Sequence, residues 1–335
     1  MRRLRITLND IAERNNLTLA FHRAAKGKRY RADVWAFSSD FENNLTRLAD
    51  DIRAARLPYN RFRSFTIFDP KQRRIHAACF EDRVFHHALM NLAGPVLERT
   101  LLPSSFACRP GKGVHNAVAS LQKHLRRYAY YCQIDIQGYF AHIVHNRLLQ
   151  LLARRFKGAG CLAQWQRIVS GYQTDSGMGL PIGSLTSQFC ANYYLDGLDR
   201  LLASLPQVRA AIRYMDDIVW WCDDRHECLE TLQIVTDWLW QERRLRVKPS
   251  VQIQPSRLGI RFCGFRILPG LIRLSRRRKR RFQTRRQYWE RLYQQGVIDA
   301  RQLQQVYAAV QAITVGTDCR SWLRENLRRH PPLTV

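Results

Sequence analysis

Between positions 212 and 221 the chain reads Ile-Arg-Tyr-Met-Asp-Asp-Ile-Val-Trp-Trp, two short apolar runs closed on a pair of adjacent acids. β-Branched and aromatic residues favour extended backbone, so the pattern predicts a strand, a tight turn and a returning strand with Asp216 and Asp217 at the tip. A second run, with Tyr128, Tyr130, Cys132 and Ile134 alternating, predicts a half-buried strand that ends on Asp135. Residues 61–76 alternate as Phe62, Ser64, Thr66 and Phe68 against Phe65 and Ile67, then turn at Asp69-Pro70. This predicts a two-stranded hairpin whose tip and returning strand carry Lys71, Arg73 and Arg74.

Helical spacing dominates elsewhere. Leu45 to Arg56 and Glu81 to Ala93 read as amphipathic helices, the second with Val84, Leu89 and Leu92 inward. Asn192 to Leu202 follows the same rule, with Leu195, Leu198, Leu201 and Leu202 inside and Asp196 and Asp199 on its wet face. Cys228 to Arg243 buries Leu229, Leu232, Val235, Trp238 and Leu239, and Leu245 to Ile253 alternates as a strand with Lys248 at its end.

Two carboxylates side by side repel by about 1 kcal/mol or more at a few Å, and by more where water is scarce, so a buried hairpin tip needs cationic compensation. A divalent metal is the natural candidate. Asp135 on one strand and Asp216-Asp217 on a neighbouring hairpin have the chemistry to hold two Mg²⁺ ions about 4 Å apart for in-line attack at phosphorus. The backbone carbonyl of Ile136 is a further candidate ligand. His142 and His145 form an H-x-x-H pair without a third ligand in sight, which leaves a metal role unsupported.

Charge narrows the partner. The 335 residues carry 55 Lys plus Arg against 27 Asp plus Glu, a formal charge of +28, which points to a polyanion. From Ser275 to Arg286 there are eight cations in twelve positions, a density that calls for phosphates and marks Arg276, Arg277, Arg278, Lys279 and Arg280 as nucleic-acid contacts. The basic loop Ala25 to Arg31 is either a solvated turn or a second RNA contact. No apolar run approaches the ~20 residues of a spanning helix, so no membrane partner is expected. The nine cysteines lack C-x-x-C spacing and read as reduced core residues of a cytoplasmic protein.

At this point the sequence resembles the reverse transcriptases, whose central domain carries the Asp135 element and the Tyr214-Met215-Asp216-Asp217 element in this order. Three further stretches share the likeness. Ser104 to Ala117 resembles the motif F-x-x-R-P-x-x-x-x-H-x-A through Phe106, Arg109 and His115, with Arg109 implied as a template-backbone contact; a Walker-type phosphate loop is excluded because G-x-x-x-x-G-K-[ST] is incomplete. Gly177 to Asn192 resembles the Gly- and Pro-rich loop that approaches the nucleotide and template base, where Ile182 and Gln188 are the implied contacts. Gly259 to Ile267 resembles the hairpin that grips the primer end, through Phe262, Gly264 and Phe265.

The resemblance implies an α+β right-hand polymerase fold. It divides the chain into a helical lead-in (1–60), fingers and the start of the palm (61–130), palm with an interleaved fingers segment and primer grip (131–270), and a basic helical thumb (271–328). Lys71 and Arg73 fall where triphosphate-binding cations sit, with Arg74 a close second. An aromatic gate that excludes the 2′-hydroxyl falls at Tyr139 or Phe140, and Lys248 at the general acid of pyrophosphate release. Most reverse transcriptases that resemble this chain have Gln at the position of Ile182 and Ser-Pro where Ser187-Gln188 stand. The departure is shared with error-prone reverse transcriptases of diversity-generating retroelements, although the Gly-His pair late in those chains is missing here, where Thr314 to Asp318 stands.

The expected function is therefore an RNA-directed DNA polymerase that extends a primer on template RNA, consumes dNTPs and holds an RNA–DNA duplex. A structured noncoding RNA and a basic accessory protein or second subunit are the expected partners, because no ribonuclease H cluster or endonuclease domain is recognisable. The same chemistry in antiphage defence, with cDNA copied from a noncoding RNA, is the first alternative. An inactive RNA-binding module is the second, and the complete acid set argues against it.

Overall fold

A computed structural model describes residues 3–68 and 72–333; Lys71, at the tip of the expected hairpin, lies outside the described residues. The chain starts with a short strand, β1 (Leu4–Arg5), and four helices: α1 (Leu8–Ile11), α2 (Arg14–Ala25), α3 (Ala32–Ser39) and α4 (Phe41–Arg53). Caps set the first two. Thr7 and Asp10 satisfy each other's backbone amides, and the Glu13 carboxylate accepts from Asn15 and Asn16.

Strands β2 (Phe62–Phe68) and β3 (Gln72–Ala78) pair antiparallel as the alternation predicts, in the register Phe65 to Ile75 and Ile67 to Arg73. Helix α5 (Phe80–Thr100) runs past its expected end, carrying Pro95 within it. After α6 (Val114–Arg127) come β4 (Tyr130–Asp135), α7 (His145–Ala153), β5 (Phe156–Lys157), α8 (Ala159–Ser170), α9 (Leu185–Tyr194) and α10 (Asp196–Ser204). Strand β1 pairs in parallel with β5, which two-residue runs in the sequence do not announce.

The predicted acidic hairpin is β6 (Ala210–Tyr214) and β7 (Asp217–Cys222). Helix α11 (Arg225–Trp238) leads to β8 (Gln252–Pro255), and β6, β7, β4 and β8 form one antiparallel sheet in the order β6-β7-β4-β8. Alternation along β7 sends Trp220 into the core shared with α5, α9 and α11, and Trp221 into a second core with α6; both rings are fully buried. That second core is closed by a three-stranded meander, β9 (Ile260–Phe262), β10 (Phe265–Leu268) and β11 (Leu271–Leu274). Helices α12 (Arg276–Gln294), α13 (Ala300–Gln311) and α14 (Arg320–Arg329) end the chain. Among the described residues no helix is long and apolar enough to cross a membrane. All nine cysteines are free thiols.

Three expectations change. Leu229, expected on the buried side of α11, is 40% exposed. The strand expected over 245–253 is confined to Gln252–Pro255, because Pro249 donates no amide and breaks the ladder just after Lys248. Asp196 and Asp199 are buried, not wet. Asp199 meets the equally buried Arg213 of β6 through two hydrogen bonds of 2.6 and 2.7 Å, a partner that helical periodicity cannot reveal.

Candidate active site

The site forms where β4 and β7 end side by side. Asp135 is the register partner of Asp217, which places their backbones about 5 Å apart. Tyr214 pairs with Asp217 across a two-residue turn, Met215-Asp216, in which Met215 takes the left-handed φ of +60°. A methionine held there costs on the order of 1 kcal/mol, so its surroundings must hold the turn in place. Arg213 does so from below. Its guanidinium donates to the Met215 carbonyl at 3.4 Å, to the Asn192 side chain and carbonyl at 3.2 and 3.1 Å, and to Asp199.

Each acid has a different partner. Lys248 places its Nζ 2.5 Å from Asp135 Oδ1 and its amide on the Asp135 carbonyl at 2.8 Å. Asp217 accepts from Gln133 Nε2 at 2.9 Å. Burial raises the Asp216 carboxyl above its usual range, aided by Asp135 and opposed by Lys248 and Arg73. Burial also pushes Asp217 up to about 7, with Asp135 and Asp216 adding to the rise against the Gln133 hydrogen bond. Ile136 donates its amide to the Asp216 carbonyl at 3.3 Å. The bonds from Asp135 and Gln137 go to the segment around Val247, so Ile136 turns its own amide and carbonyl toward the Asp216 turn.

These acids fit a divalent metal by chemistry: three oxygen donors lie at adjoining strand ends, and burial, aided by their mutual repulsion, holds the Asp217 carboxyl up at about 7. They are not a ready cage. Among the described residues no three acid, histidine or cysteine side chains stand close enough to hold one ion, and Asp135 is turned to Lys248. Convergence of all three on common ions, expected from sequence, therefore requires Asp135 to leave its lysine.

Around the acids the expected contacts divide. Arg73 and Arg74 are both exposed, but the charge of Arg73 reaches Asp216 while that of Arg74 reaches His76. Tyr139 is buried with its hydroxyl donating to the Ala191 carbonyl, so it is a core residue and not a gate. Phe140 is half-buried, and its carbonyl accepts from Leu180 at 2.8 Å at the start of the Leu180-Pro181-Ile182-Gly183 loop. That loop is fastened to the β2–β3 hairpin: the His76 amide donates to the Ile182 carbonyl at 2.9 Å. A Cβ added at Gly183, whose φ is +112°, would meet Ile75 at 2.8 Å. Gln188 lines a cavity shared with Arg23 and His87.

Five implied nucleic-acid contacts are engaged within the protein. Arg109 is held internally, by Glu98 at 2.8 Å and by the carbonyls of Leu102 and Ser105 at 2.6 and 2.8 Å, because it ties down the loop that follows α5. Phe262 is buried in the second core, with its ring edge to face with Tyr214. Gly264, at φ +80°, admits Arg278, whose Nε lies 2.6 Å from where a Cβ would stand. Arg278 packs over Phe265 and donates to the Cys263 carbonyl, and Lys279 lies over Trp322, which leaves Arg276, Arg277 and Arg280 exposed. Sequence reasoning missed Arg213, Asn192 and Gln133; an arginine inside an otherwise apolar strand was the available signal for the first.

The sequence profile of the family "Reverse transcriptase (RNA-dependent DNA polymerase)" matches residues 69–267, more than half of the chain. The chain is 26% identical over 147 residues to the group II intron-encoded protein LtrA of Lactococcus lactis subsp. cremoris, covering 40% of this chain and 24% of LtrA. It is 25% identical over 144 residues to protein YkfC of Escherichia coli K12, covering 39% and 38%. The matched stretches thus span well under half of these relatives' own length. Apo telomerase from Candida tropicalis aligns over 64% of this chain and 48% of its own at 10% identity, with a TM-score of 0.48. With an Asp-Asp hairpin and a third strand-end acid inside the matched segment, the α+β architecture is the right-hand polymerase fold, and the chain belongs to the reverse transcriptase (RNA-dependent DNA polymerase) family.

Proposed function

We propose that the protein is an RNA-directed DNA polymerase that extends a primer on an RNA template. The observation that carries this reading is the register pairing of Asp135 with Asp217 beside Asp216 at one sheet edge. In this reading residues 61–130 begin the fingers, 131–270 the palm and 271–328 the thumb. Asp135, Asp216, Asp217 and the Ile136 carbonyl are the candidate holders of two Mg²⁺ ions. Bound Mg²⁺ would supply Lewis-acid charge to the attacking primer hydroxyl and to the triphosphate.

The chain's own residues do the rest. Arg73 reaches toward the acids from the hairpin and pairs with the triphosphate. Phe140 stands against the sugar and excludes the 2′-hydroxyl by overlap, since Tyr139 is committed to the core. Lys248, released from Asp135, carries a proton to the departing pyrophosphate. Arg276, Arg277 and Arg280 face the backbone of the RNA–DNA duplex.

Low fidelity follows from Ile182, whose apolar side chain offers no hydrogen bond that a mispair would forfeit. Together with the likeness to the group II intron-encoded protein LtrA, this supports copying of a template RNA with errors at adenines, in a diversity-generating retroelement. Primer extension on an RNA template tests both levels. The wild type extends, and Asp216→Ala with Asp217→Ala does not; equal extension by both would end the polymerase reading. Ile182→Gln lowers misincorporation opposite template adenine severalfold, and an unchanged error spectrum removes the fidelity argument. Repeated or concatenated cDNA from the co-purifying RNA would turn the biological role to antiphage defence.

A further inference from the structure

Behind the Ile182 loop, between α2, α5 and the start of α9, lies a cavity of about 190 Å³ whose wall is mostly basic or polar, with Ala24, Ala78 and Leu185 as its apolar part. Arg23, Lys28, Arg83, His86 and His87 line it from one side, and Gly183, Ser184 and Gln188 from the other. The cations there are under-compensated. Asp33 is the one acid that the described ion pairs bring to them, 3.5 Å from both Arg83 and Arg31, while Arg23 turns to the Asn91 side chain. Burial, then repulsion from Arg83 and Arg31, lowers the Lys28 ammonium below its ordinary value. His86 is 5% exposed, its ring tilted against that of Phe85. Burial keeps it and His87 neutral, so each has an N–H to offer. Helix α9 begins at the same wall without a side chain on its first amides.

The cavity joins a path to the acids. Strand alternation puts Arg63, Phe65, Ile67, Arg73 and Ile75 on one face of the β2–β3 hairpin, Arg73 being the member whose charge reaches Asp216. At the far end of that face a larger cleft of about 860 Å³ is lined by Arg31, Arg61, Arg63 and Phe65, and by Arg83, which also lines the smaller cavity. Phe65 is 47% exposed among these guanidinium groups, the mixture of ring face and positive charge that single-stranded nucleic acid stacks upon.

We propose that the cavity is a phosphate subsite for the template strand that has not yet been copied, whose backbone passes along this hairpin face on its way to Asp135 and Asp217. The proposal rests on the polymerase reading and adds where the single strand is held. One backbone phosphate takes the charges of Arg23, Lys28 and Arg83 and the N–H groups of His86 and His87.

The test uses the whole protein with Arg23→Ala and Lys28→Ala combined, both side chains being exposed and off the core. Binding is measured, without nucleotide, to primer–template duplexes whose template overhang is either one or ten nucleotides. The expected result is about tenfold weaker binding to the long overhang, a salt slope smaller by about 0.7 for each phosphate that the variant no longer neutralises, and unchanged binding to the short one. Equal loss on both duplexes, or loss on neither, overturns the proposal. A raised KM for dNTP on the short overhang also overturns it, since the cavity would then hold the incoming triphosphate. Because no nucleotide is present in the binding arm, a wild type that binds the long overhang but never extends it would sink the polymerase reading and leave the phosphate subsite standing.

Discussion

Two ion pairs flank the acidic hairpin, and they differ in nearly everything but chemistry. Arg213 and Asp199 sit beneath the turn with side chains 1% and 2% exposed, and Arg213 is further held by Asn192 and the Met215 carbonyl. Lys248 and Asp135 sit at its mouth, 29% and 41% exposed. The buried pair has no competitor: water does not reach it, and removing one charge leaves the other stranded. The open pair is provisional, because a better cation can take Asp135 from the lysine and free the ammonium for other work. A catalytic centre built on repelling carboxylates needs both kinds, one to fix its shape and one to be exchanged.

The contrast can be broken at either pair. The largest effect is expected from Asp135→Asn, which should lower primer extension by roughly 10⁴-fold or more while leaving folding intact, since it removes a candidate metal oxygen from an open site. Extension rates beside a thermal melt would check it, and a slowdown explained by unfolding would refute the division. Arg213→Ala should behave in the opposite way, costing about 3–5 kcal/mol of stability because Asp199 is left buried and uncompensated. Denaturant melts of that variant and of Arg213→Ala with Asp199→Ala give the measurement, and the double variant should recover part of the loss. Lys248→Ala should change stability by less than about 1 kcal/mol, as expected for a partly exposed pair, yet slow extension by about 10²-fold through loss of the proton donor.

The smallest effect is in pH. The Asp217 carboxyl, pushed up to about 7, must lose its proton before it binds a cation, so Mg²⁺ affinity should rise with pH up to about 7 and flatten above it. Without metal the sign for stability is opposite. Between the ordinary carboxyl value near 3.8 and about 7 the folded chain binds more protons than the unfolded one, so stability falls as pH rises through that window. Calorimetric titration at pH 6 and pH 8 reads the first, and melts in chelator read the second.

Much of this was open to reading in the sequence, and what was hidden was hidden for a reason. The hairpin at Tyr214 to Asp217 and the strand ending on Asp135 declare themselves because period-two alternation and a turn are local signals. So does the β2–β3 hairpin, whose register puts Arg73 and Arg74 on opposite faces, with the charge of Arg73 the one felt at Asp216; one residue of slip would exchange them. Burial of charge is not local. Asp199 reads as solvated on its own helix because its partner lies on a strand beyond the next loop, and Arg109 reads as a template contact because motif likeness gives no bond directions. Phe262 carries its pattern correctly but spends its ring on the core, which the pattern alone does not reveal. The resemblance implies an aromatic gate at Tyr139 or Phe140, a choice that counting cannot make, and the hydroxyl of Tyr139, committed to Ala191, separates the two.

One small contact has a mechanical consequence. With the His76 amide on the Ile182 carbonyl and Ile75 against Gly183, the β2–β3 hairpin and the Leu180-Pro181-Ile182-Gly183 loop are stitched together. Neither can swing without dragging the other. In the proposed function, where the hairpin holds the triphosphate and the loop meets the base, the two contacts become a single displacement, and a poorly fitting nucleotide loosens its own handle.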